Sequence, residues 1–121
     1  LASSPEQRRA ALLRGAAAEA RIASLLEGEG WSVLVRNWIG GGGELDLVVR
    51  RGRTLRMVEV KLREADDPVG VEAIDDGKRR RLRGAAGAWL ALYDEPIDEV
   101  CFLVALVEGD AVSWIDDAFD G

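Results

Sequence analysis

Two short segments, Glu44–Arg50 and Thr54–Lys61, constrain the fold of this chain more than any other feature. Both are dense in β-branched and large apolar residues, and Gly52-Arg53 lies between them. Glycine at the first of two loop residues suits a type II′ hairpin turn, which pairs Arg51 with Thr54. Continued along the ladder, that register sets Val48 against Met57, Asp46 against Glu59 and Glu44 against Lys61 on one side of the sheet. The other side carries Leu47 opposite Val58 and Leu45 opposite Val60, a hydrophobic face.

Asp46 and Glu59 are the odd pair. Like charges directly opposite on a ladder are destabilising, and both residues have apolar neighbours. A divalent cation held between the carboxylates removes the repulsion, and hard cations such as Mg²⁺ are bound in this way by one or two carboxylates plus waters. Lys61, two residues beyond Glu59 on the same face, then sits beside the ion.

Asp46 followed by Glu59-Val60-Lys61 resembles the Asp…Glu-x-Lys signature of the PD-(D/E)xK nuclease superfamily. The surroundings resemble one branch of it, the YraN-like family, through Asn37-Trp38, Gly43–Asp46, Val58–Arg63, Lys78 and the closing Ala118-Phe119. The resemblance runs from about Gly15 to Phe119. It implies a restriction-endonuclease-like α/β core, a first-helix glutamate that joins the metal site at the place of Glu19, and Lys78 turned toward that site. The chain departs from the family pattern at Ala18, where glycine is usual, at Ile39, where arginine is usual, and at Cys101-Phe102-Leu103, where Arg-Phe-Asp is common.

The chemistry open to the chain is limited by what it lacks. With no histidine among its 121 residues, Ser-His and Cys-His nucleophile systems and histidine-bound zinc are excluded. The single cysteine excludes an internal disulfide and fits a reducing, cytoplasmic setting. Leu1 stands where an initiator methionine is expected and reads as a trimmed start, and no apolar core follows Arg8-Arg9 as a secretory signal requires. The longest apolar run, Val100–Val107, is far too short to span a bilayer. The net charge of −6 is unevenly spread: all 16 Lys and Arg lie at or before Arg83, where they exceed the acids by 3, whereas residues 84–121 carry −9. So polarised a molecule can present a basic face.

Residues 1–121 are expected to form one domain. Ser4-Pro5-Glu6-Gln7 is a helix start with a capping box, and the helix should run to about Leu26 or Glu27. Its apolar stripe is Leu12, Ala16, Glu19, Ala23 and Leu26; the pattern alone leaves Glu19 at the margin, reaching for water. A strand follows over 31–37, then a flexible glycine-rich connection through Gly43, then the hairpin. A second helix starts near Asp75 or Asp76 and runs to about Leu92, with Ile74, Leu82, Ala85, Ala86, Trp89 and Leu90 facing inward. Strands over 100–107 and 111–115 complete the order αβββαββ, a mixed sheet of about five strands flanked by two helices.

The expected function is metal-dependent hydrolysis of DNA phosphodiester bonds, on a branched, single-stranded or otherwise processed form. Asp46 and Glu59 would ligate Mg²⁺ or Mn²⁺ with the Val60 carbonyl as a third oxygen, Glu19 would reach the site directly or through water, and Lys61 would orient the attacking water. Lys78, Arg79, Arg80, Arg81 and Arg83, with Arg63, would track phosphates. Cutting both strands of a duplex would call for a homodimer. The alternatives are a catalytically weak nucleic-acid-binding module in a recombination or DNA-uptake complex, and a scaffold whose acidic last third binds a basic DNA-processing partner.

Overall fold

The computed structural model describes residues 4–63 and 76–116. Seven elements follow in the order α1 (Pro5–Gly28), β1 (Ser32–Gly40), β2 (Gly43–Arg51), β3 (Thr54–Leu62), α2 (Asp76–Leu92), β4 (Glu99–Glu108) and β5 (Ala111–Asp116). This is the expected αβββαββ order. The strands form one five-stranded sheet in sequence order. All pairs are antiparallel except β3–β4, whose parallel pairing requires a crossover, supplied by α2. Among the described residues no helix is long and apolar enough to cross a membrane. Ile74, Asp75 and Ala118-Phe119 lie outside the described residues; Asp76 is the first residue of α2.

The two helices cover opposite faces of the sheet. Ala18, Ile22, Ala23 and Leu26 of α1 pack on Leu47, Val49, Val58, Leu103, Ala105 and Val107. Leu82, Ala85, Ala86 and Trp89 of α2 pack on Val48, Leu55, Met57 and Val104. The central strands therefore bury residues of both parities, as the unbroken apolar run of β4 requires. The capping box forms as read: Gln7 N–H donates to Ser4 Oγ at 3.1 Å, and Ser4 N–H donates to Gln7 Oε1 at 2.7 Å.

Three expectations are corrected. The apolar stripe of α1 is core only from Ala18 onward; Leu12 is 75% exposed, because the first half of the helix overhangs an open cleft at the end of β3 rather than packing on the sheet. The glycine run is not a loose connection. β1 continues to Gly40, which pairs with Gly43, and Gly41-Gly42 alone make the turn, with φ of 61° and 85°. Positive φ at both central residues is the type I′ geometry that matches strand twist. A Cβ on Gly41 would lie 2.2 Å from the Gly84 carbonyl oxygen, and one on Gly43 equally close to that of Arg81, so the turn rests backbone-to-backbone on α2. The third correction concerns the hairpin ladder and belongs to the site.

Candidate active site

The β2–β3 register holds from Arg51–Thr54 to Leu47–Val58 and stops there. Beyond that rung β2 stays with β1, through Trp38–Leu45 to Gly40–Gly43. β3 stays with β4, through Glu59–Val104 to Leu62–Val107. The sheet forks. The expected cross-strand pairs Asp46–Glu59, Glu44–Lys61 and Leu45–Val60 do not form, and Leu45 joins the α2-side core instead of the face of Leu47. The local cause is Asp46 itself. Its carboxylate accepts the Val60 N–H at 2.8 Å, a donor that a ladder would give to a β2 carbonyl. On the β1 side the Asn37–Asp46 rung is also missing, and Asn37 has a left-handed backbone with φ of 51°.

Acidic groups gather in the fork. Glu59 is the one buried charged residue among those described, at 5% exposure. Its Oε1 lies 3.0 Å from Lys78 Nζ, while Oε2 is buried with no hydrogen-bond donor. Burial, and after it the Asp46 carboxylate, push the Glu59 carboxyl up to about 7, against the opposing pull of Lys78. A proton on Glu59 would let it donate to Asp46. Glu19 is raised as well, by burial first and then by Asp46 and Glu44, with Arg36 opposing. In the amide orientation that satisfies both groups, the Asn37 side-chain nitrogen donates to both Glu19 oxygens, at 3.1 and 3.0 Å.

Glu19, Asp46, Glu59, Val60 and Lys61 line one cleft of ≈ 680 Å³, so the structure brings together every residue expected to bind metal or act in catalysis. Glu19 enters from α1 and Lys78 from α2, on the two sides of the gap. Among the described residues no three His, Cys, Asp or Glu side chains converge closely enough to cage an ion alone. The available donors are a close carboxylate pair, a third carboxylate and a backbone carbonyl. That set fits Mg²⁺ or Mn²⁺, which keep several waters, and the orphaned Glu59 Oε2 is the atom that would gain most from an ion.

The basic cluster of α2 is divided. Lys78 and Arg81 line a smaller hollow of ≈ 350 Å³ beside Glu44 and the glycine turn. Arg79 turns back on Asp76 at 3.7 Å, and Arg80 and Arg83 are exposed. Arg63 sits 3.5 Å from Glu108. The contact of Asn37 with Glu19 was not anticipated from sequence. The available signal was residue type, since asparagine tolerates the left-handed region better than most residues.

The profile of uncharacterised protein family UPF0102 matches residues 18–110, a span that holds all the acids of the fork, Asn37, Lys61 and Lys78. The chain belongs to UPF0102. A UPF0102 protein of Methylorubrum populi is 43% identical over 106 residues, covering 88% of this chain and 79% of its own. The UPF0102 protein gll3754 of Gloeobacter violaceus is 44% identical, with 86% and 90% covered. The UPF0102 protein YraN of Escherichia coli is 38% identical, with 88% and 83% covered. The UPF0102 match begins at the first buried residue of α1, so the overhanging half of that helix lies outside it.

Proposed function

We propose that this UPF0102 protein is a Mg²⁺- or Mn²⁺-dependent nuclease that hydrolyses DNA phosphodiester bonds. The observation that carries this reading is the forked sheet, which sets Asp46 and a buried, half-satisfied Glu59 in one cleft with Lys61. The resemblance of Asp46 and Glu59-Val60-Lys61 to the PD-(D/E)xK signature supports it. Asp46 and Glu59 would hold the ion, with the Val60 carbonyl as a third oxygen and Glu19 reaching it through water. When bound, such an ion supplies Lewis-acid stabilisation of negative charge on a phosphoryl oxygen. Lys61 orients the attacking water and offsets charge that builds on the scissile phosphate. Lys78 holds Glu59 on its other side and, with Arg81, gives neighbouring phosphates a cationic seat.

The test is a cleavage screen over single-stranded, duplex, flapped and four-way DNA with Mg²⁺ or Mn²⁺. Lys61→Met keeps the apolar stem and removes the charge; cleavage should fall at least ~100-fold, the loss seen for one well-placed transition-state donor. Asp46→Asn should abolish both cleavage and calorimetric Mn²⁺ binding. Cleavage that survives both substitutions would locate the activity elsewhere. Salt-sensitive DNA binding without cleavage would favour the binding-module reading, and neither property would favour the scaffold.

A further inference from the structure

Resting on the nuclease reading, we propose that the trough between α1 and the fork receives an unpaired nucleobase, which makes single-stranded stretches of DNA the substrate. The cleft that holds the carboxylates extends well past them along the overhanging half of α1. Its helix wall is formed by Arg8, Ala11, Leu12, Gly15 and Ala16, residues three or four apart that share one helix face. Leu62 of β3 completes the apolar lining. A stripe at this spacing ordinarily marks a buried face, yet here it borders a cavity whose volume of ≈ 680 Å³ falls within the range of small-molecule sites. Ala11, Gly15 and Ala16 leave the wall low, and a Cβ on Gly15 would meet nothing within 4 Å.

The chemistry along the trough selects the occupant. One end has Lys61 among Glu19, Glu44, Asp46 and Glu59, where a bound ion would seat the scissile phosphate, and the other has Arg8. Between them the walls are aliphatic. A polymer with an anionic backbone and flat apolar appendages matches that alternation of charge and apolar surface. A paired base in a duplex is stacked on both faces and offers only its edges, so it has no face to lay on these walls. An unpaired base does. Contact through aliphatic surface reads no hydrogen-bonding edge, so binding should be tolerant of sequence.

The test fills the trough while leaving every acid in place. Gly15→Leu with Ala16→Phe places bulk on an exposed stretch of helix, where replacing glycine also favours the helical state. Fluorescence anisotropy would compare a labelled single strand, its duplex and an oligomer of abasic sugar-phosphates, while calorimetry follows Mn²⁺ binding. The wild type should bind the single strand at least tenfold tighter than the duplex or the abasic oligomer. The filled variant should lose that preference and keep Mn²⁺ affinity within about twofold. Equal wild-type affinity for the strand and the abasic oligomer, or an undiminished preference after filling, would overturn the proposal. So would a trough substitution that changes the oligomeric state and leaves strand binding alone, which would give the trough to a second copy. Loss of strand preference on filling, in a protein that neither binds Mn²⁺ nor cleaves, would uphold the base-binding trough and remove the nuclease reading.

Discussion

Glu59 is held where a carboxylate is least at ease, buried beside a second carboxylate and with one oxygen unsatisfied. Its carboxyl rises from 4.5 to about 7, so between those values the folded metal-free protein binds a proton that the unfolded chain does not. The contribution to stability is then fully present below the unfolded value and is lost as pH rises through about 7. The shift corresponds to roughly 3 kcal/mol as an upper bound. In EDTA, wild-type melting temperature should drop from pH 5 to pH 8 more than that of Glu59→Gln, and the variant should be the more stable at pH 8. Parallel pH profiles would show that Glu59 ionises without penalty. Asn37 offers a second test, of positioning. Asn37→Gly keeps the left-handed backbone at φ 51° and removes only the amide that holds Glu19. Loss of such a supporting contact commonly weakens metal affinity about 10- to 100-fold. Calorimetry with Mn²⁺ should detect a weakening of that order, with circular dichroism unchanged.

Two glycines of α2 carry opposite expectations at the scale of the element. Gly84→Ala would bring a Cβ to 2.5 Å from the Gly41 carbonyl oxygen, and no flexible side chain is there to yield. The strain should outweigh the helix-propensity gain of up to ~1 kcal/mol and leave a net loss of about 1–2 kcal/mol. A Cβ on Gly87 meets nothing, so Gly87→Ala should stabilise by about 0.5–1 kcal/mol. Denaturant titration of the two variants reads both signs in one experiment. The contact between hairpin and helix shows where sequence reading ended. Element order, the capping box and the hairpin rungs from Arg51–Thr54 to Leu47–Val58 were legible because each depends on local spacing and turn chemistry. The glycine run read as slack, since what it packs against lies some forty residues away (Gly41 against Gly84). The carboxylate pair was legible as a conflict on a ladder, but the fork was not. Periodicity extends a register indefinitely and carries no sign of a side-chain oxygen taking a donor from the ladder. Leu12 misled for a related reason, because a stripe records a face without saying whether anything lies beneath it.

At the scale of the molecule, the described arginines of the hairpin and of α2 differ in what they touch. Arginines at the far end of the β2–β3 hairpin are engaged within the fold: Arg53 makes a bidentate pair with Asp98 at 2.9 and 3.0 Å, and Arg51 and Arg56 lie 4.5 and 4.4 Å from the Trp31 ring centre. Arg80 and Arg81 are exposed on α2, and Arg81 borders the hollow beside Glu44 and the glycine turn. On the proposed nuclease reading, DNA affinity should fall with salt at a slope of about −0.9 per phosphate contacted on duplex and about −0.7 on single strands. Arg80→Ala with Arg81→Ala should flatten it by roughly one to two units. Anisotropy over a salt series checks this, and parallel lines for variant and wild type would remove these arginines from the interface. The parallel crossover bears on the order in which the molecule is made. Glu19, Asp46, Glu59 and Lys61 leave the ribosome early, on a helix and a hairpin that are marginal alone. The backbone partner of Glu59 is Val104, and its counter-charge is Lys78. Until those later residues are synthesised and the crossover closes, the acids have no fixed geometry. A nascent or half-unfolded chain thus carries the acids of the fork without the arrangement that the closed sheet gives them.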